Sequence, residues 1–254
     1  MTETLDQILD KKRKFLIENK EYKRAEDLTH AKTTGKYIGD IVYGANDGLI
    51  TTFAIIAGAA GAGLSPAIIV ILGLSNIIAD GISMGASNYL GGKSEIDFAK
   101  NQRKKEEWEI EHLRELEIDE IREIYEKKGF KGKALDEAVK TITSNKKVWI
   151  DTMMLEELGI IEEIDDPKSH AYVTFGAFVA AGFVPLLPFL FPIGFSAFPA
   201  AVVIGGITLF LIGAARSFVT TVSFIRGGLE MFLVGSAAAI AAYSIGAIVE
   251  KFVS

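Results

Sequence analysis

The stretch "NDGLITTFAIIAGAAGAGLSPAIIVILGLSNIIADG", residues 46–81, is apolar almost throughout, yet an aspartate stands near each end. Between Asp47 and Asp80 lie 32 residues without a single Asp, Glu, Lys or Arg. A membrane-spanning helix needs roughly 20 mostly apolar residues, so this run exceeds one span and falls short of two. "GAGLSP" interrupts it with a tight turn before Pro66. The reading that fits is two helices that extend past the ends of the run. Both aspartates then lie within the membrane.

The rest of the chain agrees. Its 254 residues combine a mean hydropathy of +0.28 with 24% charged residues, which two regions of opposite character explain better than one mixed globule. Two further charge-free stretches, 169–215 and 231–249, have room for two spans and one span. The predicted spans are 41–62, 66–91, 170–191, 197–216 and 229–250, with "PFLFPIGFSAFP" turning the third into the fourth. The expected fold is an all-α polytopic membrane protein of five transmembrane helices, with a cytoplasmic helical insert between the second and third. It divides into an arm at 1–36, helices one and two at 37–92, the insert at 93–168, and helices three to five at 169–254.

Basic residues set the expected orientation. Residues 1–40 hold nine Lys or Arg, residues 93–168 hold fifteen, and Arg216 and Arg226 follow the fourth span. The turns at 61–66 and 192–198 hold none. The positive-inside rule therefore puts the N-terminus and the insert in the cytoplasm and the C-terminus outside. The first forty residues lack a signal-type apolar core, which points to a prokaryotic plasma membrane, or to a vacuolar membrane in a eukaryote. The arm, "LDQILDKKRKFLIENKEYKRAEDL", reads by default as solvated, with the membrane surface or the insert as other resting places. A net charge of −6 argues against nucleic-acid binding. The absence of cysteine excludes disulfides, thiolate metal sites and cysteine nucleophiles. His30, His112 and His170 are scattered and no nucleophile–base pair stands out, so an enzyme is not expected.

Within the insert, "KSEIDFAKNQRKKEEWEIEHLRELEIDEIREIYEKKG" reads as a helix ending at Gly129. "KALDEAVKTITS" gives a second helix, and Ser144 or Asn145 caps a third that Gly159 closes. Glu106, Glu109, Glu117 and Glu120 fall near one face, but a continuous helix holds the two pairs about 12 Å apart along its axis. A bend near His112–Glu115 would join them, and no proline or glycine there forces one. Spacing alone favours a solvated face paired with Lys104, Lys105 and Arg114. Val148, Trp149, Met153 and Leu158 read as a buried stripe, so the Met153–Met154 pair is read first as core packing, with one core methionine and the other facing the glutamates as the alternative.

In the second span, Asn76, Asp80, Ser83 and Ser87 follow i, i+4, i+7, i+11, and Met84 adjoins them. The first span carries Asn46, Asp47 and Thr51. Ionisable groups in hydrocarbon are costly and mark ion paths, which makes Asp47 and Asp80 pathway candidates, while the serines fit helix–helix glue. Counted from the cytoplasmic side, Asp47 and Met84 lie at depths of ~13 and ~11 Å. A carboxylate beside a thioether suits a borderline divalent ion such as Fe²⁺. Glu230, at the start of the fifth span, reads as an interfacial charge, with a guard or proton-accepting role as the alternative.

The ordered set "YGANDGLITTFAIIAGAAGAG", "GISMGASNY", the glutamate-rich insert, "VWIDTMMLEELG" and "RGGLEM" resembles the vacuolar iron transporter family from about residue 37 to the C-terminus. The resemblance implies a homodimer in the lipid bilayer with an ion path between subunits along the first span. It implies Fe²⁺, with Mn²⁺ as a further substrate, leaving the cytoplasm by proton antiport, and no prosthetic group. It carries transport roles onto Asp47 and Met84. It carries cytoplasmic metal binding onto Glu106, Glu109, Glu117, Glu120, Met153, Met154 and Glu157, which reverses the solvated-face reading. Asn76 and Asn88 stand where the family often has glutamate, and Asp80 where a small residue is usual. Asp80 is thus a candidate substitute carboxylate, with Asn76 and Glu230 as further pathway or proton-coupling candidates. The alternative function is a membrane-anchored metal sensor or storage protein without transport.

Overall fold

In a hydrocarbon medium every backbone N–H and C=O must find its partner within the chain, so apolar runs of this length become helices. The structure, a computed structural model, describes residues 36–161, 166–191, 196–218 and 222–253, with Lys11 and Lys14. Apart from Lys11, Lys14 and Lys36, the arm expected at 1–36 lies outside the described residues. Among the described residues there are helices and no strands. They are α1 (Ile38–Gly61), α2 (Pro66–His112), α3 (Arg114–Lys127), α4 (Gly132–Thr143), α5 (Lys146–Glu156), α6 (Pro167–Phe183), α7 (Leu187–Leu190), α8 (Ala197–Ala215) and α9 (Phe224–Val253). Five segments are long and apolar enough to cross a membrane: α1, α2, Pro167–Leu190, α8 and α9. The chain divides into two compact units, one formed by the described residues up to Gly85 and from Tyr172 onward, the other by Ala86 to Ala171.

Helix ends follow local chemistry. Gly63 adopts φ +65 after α1, Leu64 N–H donates to the Ala59 carbonyl, and Gly63 N–H donates to that of Ala60. This glycine-centred turn closes the helix, and Pro66 opens α2 where a missing N–H costs nothing. The same motif ends α3 at Gly129, with Phe130 packed edge-on against Tyr125. Asp166 caps the start of α6 through Lys168 N–H, just ahead of Pro167. Pro185 and Pro188 then tighten the third span into the short helical turn Val184–Leu186 before α7.

In the first unit α1 is central. Leu49, Phe53 and Ala57 pack with Ala181, Leu209, Met231 and Ala239. Ile56 and Ala59 pack with Ile69, Ile77, Leu186 and Ala201. Small residues let the backbones approach, as is usual between membrane helices. A Cβ on Gly48 would stand 2.3 Å from the Phe178 carbonyl oxygen, and one on Gly246 would stand 2.0 Å from that of Gly58. Along α2 the buried line is Ile69, Gly73, Ile77, Gly81 and Gly85. Asn76, Asp80 and Met84 are half-buried, whereas Ser83 and Ser87 are exposed, so the expected polar stripe keeps only its half nearer the protein.

The second unit has its own core, in which Ile110, Ile121, Leu135, Val139, Ile142, Trp149, Ile150, Met153 and Met154 are buried together. Val148 was expected on the buried stripe of α5 but is exposed, and Ile150 replaces it. The buried positions 149, 150, 153 and 154 define a helical face that excludes 148. Asn145 caps α5 by accepting from the N–H groups of Lys147 and Val148.

A Cβ at Gly176 meets nothing within 4 Å. Gly48→Ala is therefore expected to destabilise the detergent-solubilised protein by about 1–3 kcal/mol through overpacking. Gly176→Ala should leave its unfolding temperature unchanged or slightly raised. Thermal unfolding of the two variants checks this.

Candidate functional site

The long charged segment is not one helix. Leu113 leaves helical geometry, at φ −123 and ψ 33, and separates α2 from α3. No proline or glycine is involved. His112 stacks on Trp108 with ring centroids 4.5 Å apart, and its Nδ1 lies 2.8 Å from the Trp108 carbonyl oxygen. Arg114 lies over the Trp149 ring, 4.9 Å from its centroid. The break lets Ile110 and Ile121, on opposite sides of it, share one core with Trp149. Glu115 and Glu117 also enter the first turn of α3, where the helix dipole favours negative charge.

This bend brings the two glutamate pairs together, and Glu157 joins them from the end of α5. Each of the five, Glu106, Glu109, Glu117, Glu120 and Glu157, exerts or feels like-charge repulsion within the group. Glu106 and Glu117 are only 3% exposed, and one Oε2 of each meets no hydrogen-bond donor among the described residues. Burial, then repulsion from their neighbours, pushes both up to about 7. Burial first and neighbouring carboxylates second also raise Glu120 and Glu157 above the ordinary glutamate range. Their sequence neighbours differ sharply. Glu107 and Glu111 accept from Lys146 at 2.8 and 2.5 Å on the solvated side, which pulls Glu111 below the usual range. Spacing alone could not separate these two faces.

Of the cations expected to neutralise the cluster, Lys105 lies 3.6 Å from Glu109, while Arg114 is on Trp149. A groove of about 470 Å³ beside the cluster is lined by Glu120, Glu123, Lys127, Lys128, Glu156 and Glu157. Lys128 pairs with Glu156 there. Met153 and Met154 are both buried in the apolar core. Among the described residues no three His, Cys, Asp or Glu side chains already stand close enough to hold one metal ion. Five carboxylates around a bend could close on a divalent ion as hard oxygen ligands, and a thioether would add a softer one.

In the membrane-spanning helices, Asp47 is half-buried on α1, and its carbonyl accepts from Thr51 Oγ1 at 2.7 Å. Asp80 is near enough to Asp47 for its charge to be felt there. Asp47 lies fourteen residues before the end of α1 and Asp80 fourteen after the start of α2, which puts both ~21 Å from the turn at the helical rise. Met84 follows Asp80 by one turn, so Asp80 rather than Met84 stands level with Asp47. Asn46 Oδ1, Thr52 Oγ1 and Asn76 Nδ2 are buried without a hydrogen-bond partner among the described residues. Thr52 escaped the sequence reading, and its only signal there was adjacency to Thr51. Glu230 is exposed and held by Arg226 at 3.1 Å and Arg216 at 3.7 Å, as suits an interfacial charge.

Five apolar spans, two of them bearing level aspartates, with an acidic helical insert between the second and third, define a polytopic helical membrane protein. The sequence profile of the VIT family matches residues 38–247. A vacuolar iron transporter of Toxoplasma gondii is 34% identical over 235 residues, covering 88% of this chain and 78% of that protein. Vacuolar iron transporter 1 of Arabidopsis thaliana is 36% identical over 222 residues, covering 86% and 88%. The vacuolar iron transporter of Plasmodium berghei is 37% identical over 207 residues, covering 77% and 73%. The chain belongs to the vacuolar iron transporter family.

The raised carboxylates carry a pH signature. An unfolded glutamate ionises near 4.5, so the folded chain binds more protons than the unfolded one between there and about 7. The stability contributed by Glu106 and Glu117 is full below about 4.5 and is lost as pH rises through about 7. A Glu106→Gln/Glu117→Gln double variant should lack this loss. Thermal unfolding between pH 5 and 8 in metal-free buffer checks the difference between the two proteins.

Proposed function

We propose that this protein carries Fe²⁺, with Mn²⁺ as a second substrate, out of the cytoplasm in exchange for protons. It works as a homodimer whose ion path runs along α1, and it catalyses no covalent chemistry. The relatives named as vacuolar iron transporters support the substrate. The one-sided placement of basic residues supports a cytoplasmic N-terminal arm and insert. The surrounding bilayer is a prokaryotic plasma membrane or, in a eukaryote, the vacuolar membrane.

The observation that carries the reading is Asp47 level with Asp80 on two apolar helices. A carboxylate in hydrocarbon is retained where it serves an ion or a proton. Asp47, with Asp80 and Met84 beside it, would take the dehydrating ion, and Asp80 substitutes for the carboxylate that Asn76 lacks. Thioether and carboxylate ligands bind Fe²⁺ weakly enough to let it go. In the insert, Glu106, Glu109, Glu117, Glu120 and Glu157 would collect ions from the cytoplasm, and Met153 and Met154, now in the core, would add thioether ligands. Because carboxylate ligands must be ionised, metal binding there strengthens as pH rises toward and past about 7. Zn²⁺ and Co²⁺ should compete well at these oxygens.

A metal sensor or store would use the insert alone and has no need of Asp47 and Asp80. Fe²⁺ uptake into proteoliposomes decides between the two. The wild type should accumulate Fe²⁺ against an opposing proton gradient. Asp47→Ala should fall to the level of empty liposomes while eluting as the same oligomer. Undiminished uptake by Asp47→Ala would remove the path. Wild-type protein that binds iron without moving it would leave the sensor.

A further inference from the structure

Glu106 and Glu117 each bury a carboxylate oxygen that meets no donor, inside a group of five like charges. A buried carboxylate oxygen in that condition calls for a proton or a cation. The nearby basic side chains are mostly committed elsewhere. Arg103 pairs with Asp151 at 2.7 Å, Lys146 with Glu107 and Glu111, Lys128 with Glu156, and Arg114 lies on Trp149. Lys105 is different. Its Nζ lies 3.6 Å from Glu109 Oε1, one helical turn on. Its charge also reaches Glu106 and Glu157, the residue that caps the C-terminus of α5. The side chain remains 65% exposed, so its ammonium can swing into water on its four-carbon stem.

Resting on the reading of the insert as a metal collector, we propose that Lys105 is the resident counter-charge of the empty carboxylate cluster. A divalent cation displaces its ammonium on binding, and the ammonium returns on release. Lys105 thereby sets how tightly the cluster holds its ion and how fast it lets go. A doubly charged ion gains more from five carboxylates than a single ammonium does, so the exchange runs toward the metal. The returning ammonium lowers the cost of leaving the carboxylates uncovered, so release stays fast. Removing it takes away the competitor and leaves the attraction.

The test uses the full-length protein in detergent with Co²⁺ or Mn²⁺ alone, reading affinity by calorimetry and release by chelator-triggered stopped flow. One unit charge near a partly solvated ion changes affinity by about tenfold. Lys105→Gln should therefore bind about tenfold more tightly and release correspondingly more slowly, by the same charge argument. Lys105→Arg should behave like the wild type. In a Glu106→Gln/Glu117→Gln background, the gain from Lys105→Gln should shrink. A Lys105→Gln protein with a lowered unfolding temperature but wild-type or weaker affinity would show a surface pair only and overturn the assignment. Wild-type protein that binds neither ion would overturn the metal-collecting reading, and this assignment with it.

Discussion

Like charges brought together away from water repel, and the insert is organised around bearing that cost. Glu106 and Glu117 sit among three further glutamates, buried and short of donors. Apolar packing holds them there: Ile110 from α2, Ile121 from α3, Leu135 and Val139 from α4, and Trp149, Met153 and Met154 from α5 form one core. The guanidinium of Arg114 stays on the face of Trp149 instead of relieving the carboxylates. On the solvated side of the same helix, Glu107 and Glu111 share Lys146 and carry no such penalty. A single-residue step around the helix separates a satisfied carboxylate from a frustrated one.

The membrane unit meets a related problem with different means. Here a central helix, α1, is approached so closely that glycine is required at the contacts, as Gly48 against the Phe178 carbonyl shows. Asp47, beside that contact, is half-buried. Carboxylates thus stand partly or wholly buried in two places, the insert and the spans.

Much of this architecture was legible from residue order. The spans follow from charge-free length, and the stops at Gly63, Gly129 and Gly159 follow from glycine's tolerance of positive φ, which all three adopt. Asn145 announced its own cap. Other features had no local signal. The break at Leu113 arises because two halves of a helix share one core, a tertiary demand that a leucine does not advertise. The exposure of Ser83 and Ser87 beside half-buried Asn76 and Asp80 depends on which neighbours α2 meets. The glutamates were the hardest case. Spacing favoured a solvated face, resemblance to a family reversed that, and the structure gathers the five while pairing Glu107 and Glu111 outward.

The absence of proline at the bend has a mechanical corollary. The distance between the pair on α2 and the pair on α3 is governed by the torsions of one ordinary residue, Leu113, whose side chain is outside the buried core. A proline there would fix φ at about −65°, whereas Leu113 stands at φ −123, so the bend is held by the core that Ile110 and Ile121 share and not by the residue at its corner.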